Sequence, residues 1–439
     1  MEGVIVCKFG GSSITSQEDV ERIREITTDS SMRKIVVVSA PGKRNKQDQK
    51  VTDMLIAIAS AKDNLAGRAA EITERYAVLA PLLDTRHEVR LILEQRLMNE
   101  KLLSYLDGVK AFGEEACAKV VAKALRAEYI DPKELFVVSR DFGNARILPA
   151  SEKMIKERLG GLERLCIVPG FYGYTENGEI ATFSRGGSDL TGAYIAATLR
   201  AIVYENYSDV PGILAADPKI VNNPAKIPEL TFKEMRDLAY LGSKLHPEAI
   251  APCAKKGIPI HIRETTGYPA EGTYVVQERL SDPTRPIVGV AYQGGFCSFD
   301  ILRFGMNEEI GILRKILQVF EDDNIAVEYM PSAVDDVSVV LREDQLRKKD
   351  LGKIIQKIES IMGNGTSVTL KEHLGCLVVA GKGLQGHKGI SASIQSTLAE
   401  AGVNLNFISQ GSEERCIIYG INSADGNQAV NAIYEKYIR

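Results

Sequence analysis

Val4-Ile5-Val6-Cys7-Lys8-Phe9-Gly10-Gly11-Ser12-Ser13 starts the chain with a β-branched and aromatic run that ends in a glycine pair and two hydroxyls. A near-continuous apolar run predicts a strand buried on both faces, and the glycines predict a tight exit into a helix. Runs of the same kind recur at Ile35 to Ser39, Leu135 to Ser139, Leu165 to Gly170, Ala201 to Asn206 and Ile258 to Ile262, with helical patterns such as Val51 to Ala61 and Leu190 to Thr198 between them. Apolar strands alternating with helices predict an α/β layer structure, a largely parallel sheet covered on both faces. Ala57 to Ala127 has no strand pattern, is dense in good helix formers and is broken at Pro81, and reads as a helical excursion.

At 439 residues the chain exceeds one comfortable core, and two to four domains are expected. Lys and Arg number 54 against 58 for Asp and Glu, a net charge of −4, with no basic block, so no nucleic-acid partner is expected. The apolar stretches, Ile35-Val36-Val37-Val38 among the longest, fall far short of a membrane span, and the opening residues lack the pattern of a leader peptide. A soluble cytoplasmic protein is expected. The cysteines (7, 117, 166, 253, 297, 376 and 416) are odd in number, scattered and never in a Cys-x-x-Cys pair. They read as small buried hydrophobes in a reducing compartment, and no metal site is expected.

From Gly267 to Gly295 turns accumulate (Gly272-Thr273, Asp282-Pro283, Arg285-Pro286, Gly294-Gly295) and predict a domain boundary. Beyond it Phe299 to Phe304, Gly311 to Asp322, Ile325 to Met330, Val337 to Leu341 and Leu346 to Ile361 give a β-α-β-β-α order. Leu377 to Ala380, Ile390 to Ala401, Asn404 to Ser409, Cys416 to Gly420 and Gly426 to Tyr437 repeat it. Two ferredoxin-like α+β units are the reading.

No Gly-x-x-x-x-Gly-Lys-Ser/Thr loop occurs, which excludes a P-loop enzyme. Gly381, Gly383 and Gly386 form a Gly-x-Gly-x-x-Gly, but no ribose-binding carboxylate follows, and a tight connection is the better reading. Lys8 with Gly10, Gly11 and Ser12 describes a phosphate cradle, although a glycine pair after a strand also serves as a plain turn. Ser184-Arg185-Gly186-Gly187-Ser188-Asp189-Leu190-Thr191 is a second glycine-rich helix start. It offers a guanidinium at Arg185 and a carboxylate at Asp189, the latter also readable as a helix cap.

These motifs, taken in order, resemble the aspartokinase family of the amino acid kinase superfamily over essentially the whole chain. Lys8-Phe9-Gly10-Gly11-Ser12-Ser13 is similar to the family's Lys-Phe-Gly-Gly-Thr-Ser, and Val36-Val37-Val38-Ser39-Ala40 to its second strand. Val51-Thr52-Asp53-Met54-Leu55, Phe112-Gly113-Glu114, Arg185 to Asp189, and Ser208-Asp209-Val210-Pro211-Gly212-Ile213 through Asp217-Pro218 continue the set. The tail resembles paired ACT domains, down to Ile408-Ser409-Gln410-Gly411-Ser412. The implied architecture is a three-layer α/β/α amino acid kinase fold with a mostly parallel sheet over 1–290. Two ferredoxin-like ACT-type regulatory units would follow, at 296–370 and 371–439.

The resemblance implies ATP-dependent phosphorylation of the β-carboxylate of L-aspartate, the first step toward lysine, threonine and methionine, with ATP and Mg²⁺ as cofactors. Lys8 would stabilise the transferring phosphoryl group and Asp189 would organise the cations around it. Arg185 would hold the substrate's α-carboxylate, Glu114 its amino group, and Ser39 and Thr52 would complete that pocket. Gly10, Gly11, Ser12, Ser208, Asp209, Lys219 and Lys244 would face the nucleotide. An ionised carboxylate acceptor needs no general base, which fits a site of Lys, Arg and glycine amides. Leu214 departs from the family's tyrosine and Lys219 from its arginine, while Gly242 to Pro247 is one residue short; His246 is expected to pack beside Pro247. Met306, Gly311, Ile312, Leu313, Asn324, Ile325, Val327 and Glu328 fall where the family binds a feedback amino acid. Lysine is favoured over threonine, because Glu328 could face an ammonium with Glu308 and Glu309 nearby. A homodimer or tetramer through the tail is expected. The competing expectations are a kinase of glutamate, acetylglutamate, carbamate or UMP, and a catalytically silent amino-acid sensor; the tail opposes the first, and Lys8, Arg185 and Asp189 together oppose the second.

Overall fold

The computed structural model describes residues 3–61, 63–98, 103–184, 186–242, 247–282 and 284–439, with the side chains of all of these except 240–242 and 247–250. The chain divides into two compact units: Met1–Ile213 with Pro228–Phe232 and Lys244–Arg279, and Leu214–Ile227 with Lys233–Ser243 and Leu280–Arg439.

In the first unit the elements run β1 (Ile5–Phe9), α1 (Gln17–Thr28), β2 (Arg33–Val38), α2 (Val51–Ala59), α3 (Leu65–Ala77), α4 (Arg86–Leu97) and α5 (Tyr105–Leu125). Then come β3 (Glu128–Tyr129), α6 (Ala150–Leu159), β4 (Cys166–Pro169), β5 (Tyr172–Tyr174), β6 (Ile180–Thr182), α7 (Gly187–Leu199) and β7 (Val203–Ser208). After β8 (Glu229–Thr231) and α8 (Phe232–Gly242), most of which belongs to the second unit, follow α9 (Pro247–Lys256), β9 (Ile260–Glu264) and β10 (Thr273–Val276). Eight strands form one sheet in the order β3-β4-β2-β1-β7-β9-β10-β8, every pair parallel except β9 with β10.

Strand alternation sorts the central residues by face. Cys7, Phe9, Val36 and Val38 are fully buried in one core with residues of α1 through α5, so the expected helical excursion covers that face. Lys8, between Cys7 and Phe9, therefore points to the opposite face, the one taken by α7. Under the sheet Arg33 forks onto Glu205 with Nε and Nη2 at 2.7 and 3.0 Å, and the Cys7 thiol donates to the same carboxylate. Burial pushes that thiol well above its ordinary range, so it is an inert packing group.

Leu135 to Ser139 is not a strand of the sheet. Leu135, Phe136 and Val138 are buried, which produced the apolar pattern, but the backbone makes only isolated pairings, Val137 with Tyr174 and Val138 with Ile147. The preceding turn, Pro132–Glu134, sets the segment beside the β5–β6 hairpin instead.

The second unit contains β11 (Gly289–Leu302), α10 (Ile312–Asp322), β12 (Asp336–Arg342), α11 (Leu351–Met362), β13 (Ser367–Ala380), α12 (Ile390–Glu400), β14 (Leu405–Gln410), β15 (Cys416–Asn422) and α13 (Gly426–Tyr437). These strands make one five-stranded sheet, β12-β11-β13-β15-β14. The two halves are thus joined: β11 and β13 are 14 residues each and pair with each other along both halves. Gly294-Gly295, expected as a turn, is a bulge inside β11, where Gly295 takes a positive φ of 82° and the register shifts without ending the strand. Ile325 to Met330 forms no strand either. The Ala326 amide and carbonyl are taken by the Gln345 side chain at 2.7 and 3.0 Å, leaving Tyr329 with Val340 as an isolated bridge. At Gly381 and Gly383 a Cβ would lie 2.1 and 2.3 Å from Pro286 atoms, so close packing against Pro286 accounts for the first two glycines of that fingerprint.

Candidate active site

The candidate site gathers at the carboxyl end of β1. Parallel pairing sets Lys8 opposite Val37 on one side and Asn206 on the other. The buried Lys8 ammonium lies 2.6 Å from Asp189 Oδ1 on α7. The same oxygen accepts from Asn206 Nδ2 at 2.8 Å, and the Tyr204 hydroxyl donates to the Asp189 carbonyl at 3.3 Å. Asp189 is therefore not a helix cap. It sits within the first turn of α7, whose N-cap is Gly186, and its carboxylate is held between a cation and an amide.

This places a fixed anion beside a buried cation at a helix N-terminus, where free backbone N–H groups and the helix dipole favour phosphate oxygens. Gly10 follows Lys8 directly, and its N–H donates to the Tyr207 carbonyl at 3.0 Å. Gly11 and Ser12 form a short turn; Ser12 is exposed, whereas Ser13 is buried against the Thr265 hydroxyl at 2.6 Å. The Gly11 carbonyl accepts from Gly42 N at 2.7 Å, and a Cβ on Gly42 would stand 2.6 Å from Gly11 carbonyl atoms. Only glycine fits there.

Ser39, just past β2, donates its N–H to the Phe9 carbonyl at 3.2 Å, and Thr52 lies in the first turn of α2; both are half-buried. Glu114 on α5 is 5 % exposed and accepts from the Ala40 N–H, yet its Oε2 has no hydrogen-bond partner among the described residues. Burial raises its carboxyl to about 8, an effect only partly opposed by the Ala40 and Glu114 backbone N–H groups and by Lys8. Ser208 ends β7 half-buried, its carbonyl accepting from Thr265 N at 2.9 Å, and Asp209 beside it is exposed. Lys219 belongs to the second unit, exposed on a turn whose amide is held by Asp217 at 2.9 Å. Arg185, Lys244 and His246 lie outside the described residues.

Asn206, Tyr204 and Gly42 were not anticipated as site residues. The signal for Asn206 was an amide inside the central strand β7, set opposite Lys8 once β1 and β7 are paired in register.

In the second unit, Met306, Ile312 and Ile325 are buried in one core, with Leu313 and Val327 packed against it. Gly311 and Asn324 take positive φ values at either end of α10. Glu328 lies 3.9 Å from Arg342, and burial raises its carboxyl more than Arg342 lowers it. Glu309 is committed to Arg303 and Lys315 at 2.5 and 2.6 Å.

The amino acid kinase family profile matches residues 3–264 and an ACT domain profile matches 377–437. Aspartokinase 3 of Bacillus subtilis (strain 168) is 39 % identical over 451 residues, covering 98 % of each chain. Among solved structures, Clostridium acetobutylicum aspartate kinase superposes with a TM-score of 0.86 at 34 % identity, over 99 % of this chain and all of that one. Escherichia coli aspartokinase III, solved with aspartate and ADP (R-state) and with lysine and aspartate (T-state), gives TM-scores of 0.77 and 0.75 at 21 and 22 % identity, covering 99 % of this chain and 100 % of that one. At that identity the likeness carries the fold.

Proposed function

The chain belongs to the amino acid kinase family, as an aspartokinase transferring the γ-phosphoryl group of ATP to the β-carboxylate of L-aspartate, and we propose that Lys8 and Asp189 organise the transfer while Glu114 holds the acceptor's amino group. The Lys8–Asp189 pair, held from behind by Asn206, carries this reading. An oxygen of the β-carboxylate attacks the γ-phosphorus, the bond to the bridging oxygen breaks, and ADP leaves with that electron pair. The acceptor is already ionised, so no proton has to move, and catalysis reduces to positioning and neutralising the charge on the phosphoryl oxygens. Lys8 supplies the charge, and Asp189 and Asn206 keep its ammonium from swinging away. Gly10, Gly11, Ser12, Ser208 and Asp209 line the nucleotide side, to which the resemblance adds Lys219 and Lys244; Mg²⁺ arrives on the ATP phosphates. Ser39, Thr52 and Glu114, with Arg185 by resemblance, bind aspartate. The half-partnered Glu114 carboxyl supports the amino-group role, since an ammonium would satisfy its free oxygen. No helix among the described residues is long and apolar enough to cross a membrane, and cytoplasmic residence is part of the proposal.

The purified protein with ATP and a panel of amino acids, acyl phosphate being trapped as hydroxamate, should give aspartyl hydroxamate in step with ADP. Hydroxamate from glutamate or acetylglutamate, with none from aspartate, would overturn the substrate.

For the tail, the proposed effector site is Met306, Gly311, Ile312, Leu313, Asn324, Ile325, Val327 and Glu328, with lysine before threonine. Several of these side chains are core, so an amino acid there would meet the N–H groups that open α10 through its carboxylate, and Glu328 through its cationic end. The fold-sharing E. coli enzyme takes lysine, which makes it the ligand to try first. Glu328→Gln keeps shape and deletes charge. It should weaken lysine inhibition about 5- to 150-fold at unchanged basal kcat. Lysine curves that coincide for the two proteins would remove Glu328 from the site. Assembly as a dimer or tetramer through the tail is also proposed, β12 and β14 being the outer strands of its sheet.

A further inference from the structure

Between Ser39 and Thr52 the chain makes a strap, residues 40–50, that leaves β2, crosses Gly11 and enters α2. Its backbone forms no regular element, yet it is held at many points by one buried side chain. Arg75 on α3 is 3 % exposed. It donates Nη2 to the Gly42 carbonyl and Nη1 to the Gln49 carbonyl at 3.1 Å, and its guanidinium meets both Asp48 carboxylate oxygens at 3.2 Å. Asp48 in turn accepts from the Arg44 backbone and guanidinium at 2.9 to 3.2 Å, and these cationic donors hold its carboxyl far below the ordinary range. Both ends of the strap are thereby tied to one planar fork, which a lysine could not replace with a single ammonium. Directly above the fork, Gly42 N donates to the Gly11 carbonyl, where the two backbones approach too closely for a side chain on either residue.

We propose that Arg75 is a positioning residue for phosphoryl transfer, pinning the strap so that Gly42 fixes the phosphate-side turn at Gly11 while the strap's ends fix Ser39 and Thr52. The proposal rests on the reading of Gly10 to Ser12 as the phosphate-side loop. A single buried guanidinium would then set the distance between donor and acceptor without touching either. Misplacement of reacting groups by about 1 Å costs about 10²-fold in rate, so loosening the strap should appear in kcat.

The test uses the full chain and whichever amino acid the wild type phosphorylates, so an error in the substrate would show separately in the hydroxamate assay. Arg75→Lys, shown to be folded by circular dichroism and melting, should lose about 10²-fold in kcat with both KM values little changed. Gly42→Ala, which forces the strap off Gly11 while leaving Arg75 in place, should show the same split. If both act through one contact, the double variant should be no worse than the worse single variant. Arg86→Lys, on α4 in an exposed pair with Glu74 of α3, is the control and should behave as wild type. If Arg75→Lys does not fold, Asp48→Asn, which keeps shape and removes the carboxylate that orients the fork, is read by the same criteria. Wild-type kcat in a folded Arg75→Lys or Asp48→Asn protein, or losses that multiply in the double variant, would overturn the proposal.

Discussion

Lys8→Ala is expected to lower kcat by about 10²- to 10³-fold, the scale seen when one preorganised charge-stabilising donor is removed from a transition state. Aspartate KM should move little, because the ammonium sits against Asp189 on the α7 face of the sheet, where the proposed site would put the phosphoryl oxygens, and does not need to grip the acceptor. Lys8→Arg should recover little, as a longer planar group cannot occupy a buried position between Asp189 and Gly10, whose own Cβ site lies 3.4 Å from the Lys8 nitrogen. Steady-state kinetics at saturating ATP and aspartate checks this. Wild-type turnover in Lys8→Ala would remove Lys8 from the chemistry.

Glu114→Gln should weaken kcat/KM for aspartate by about 2–5 kcal/mol, at least roughly thirtyfold, with kcat nearly retained, because the substrate's ammonium would meet a buried amide in place of a carboxylate. The sign of the pH effect follows from the raised carboxyl. With Glu114 at about 8, the free enzyme near neutrality holds it mostly protonated, whereas binding an ammonium favours the carboxylate, so binding releases a proton. Aspartate KM in the wild type should therefore fall as pH rises, about tenfold per unit well below 8, and level off above it. Glu114→Gln should lose that slope. A flat wild-type KM between about pH 6 and pH 8, or a slope that persists in the glutamine variant, would separate Glu114 from the amino group.

The parallel sheet was legible because short, largely apolar runs such as Ile35 to Val38 alternate with helical patterns, and the candidate site because Lys8 and two glycines close the first of them. Burial alone produced the same pattern at Leu135 to Ser139, where hairpin packing hides the side chains without a partner strand in the main sheet. Asp189 read as either a cap or a site residue until the pairing of β1 with β7 brought Asn206 and Lys8 to it. Contacts across such separations leave no local signature. Arg75 was still less visible, since an arginine in an amphipathic helix reads as a solvated charge and only the strap folded over it makes it buried. In the tail the helices were legible, but Ile325 to Met330 read as a strand that the Gln345 side chain preempts. A glycine pair looks the same as a turn or a bulge, and the bulge keeps β11 whole.

That continuity has a consequence for how the chain is born. Gly289 to Gln293 pair with Cys376 to Ala380, while Phe296 to Leu302 pair with β12 first in chain order. During synthesis the far portion of β11 can find its neighbour early. The near portion must wait for residues made about 85 positions later, roughly 4 to 17 s at about 5–20 residues per second. Throughout that interval Val290, Ala291 and Tyr292 offer an open, apolar strand edge to any other nascent chain. The same segment that later unites the two halves of the tail is therefore where a slow ribosome, a crowded polysome or a truncated message would turn a regulatory element into an aggregation seed.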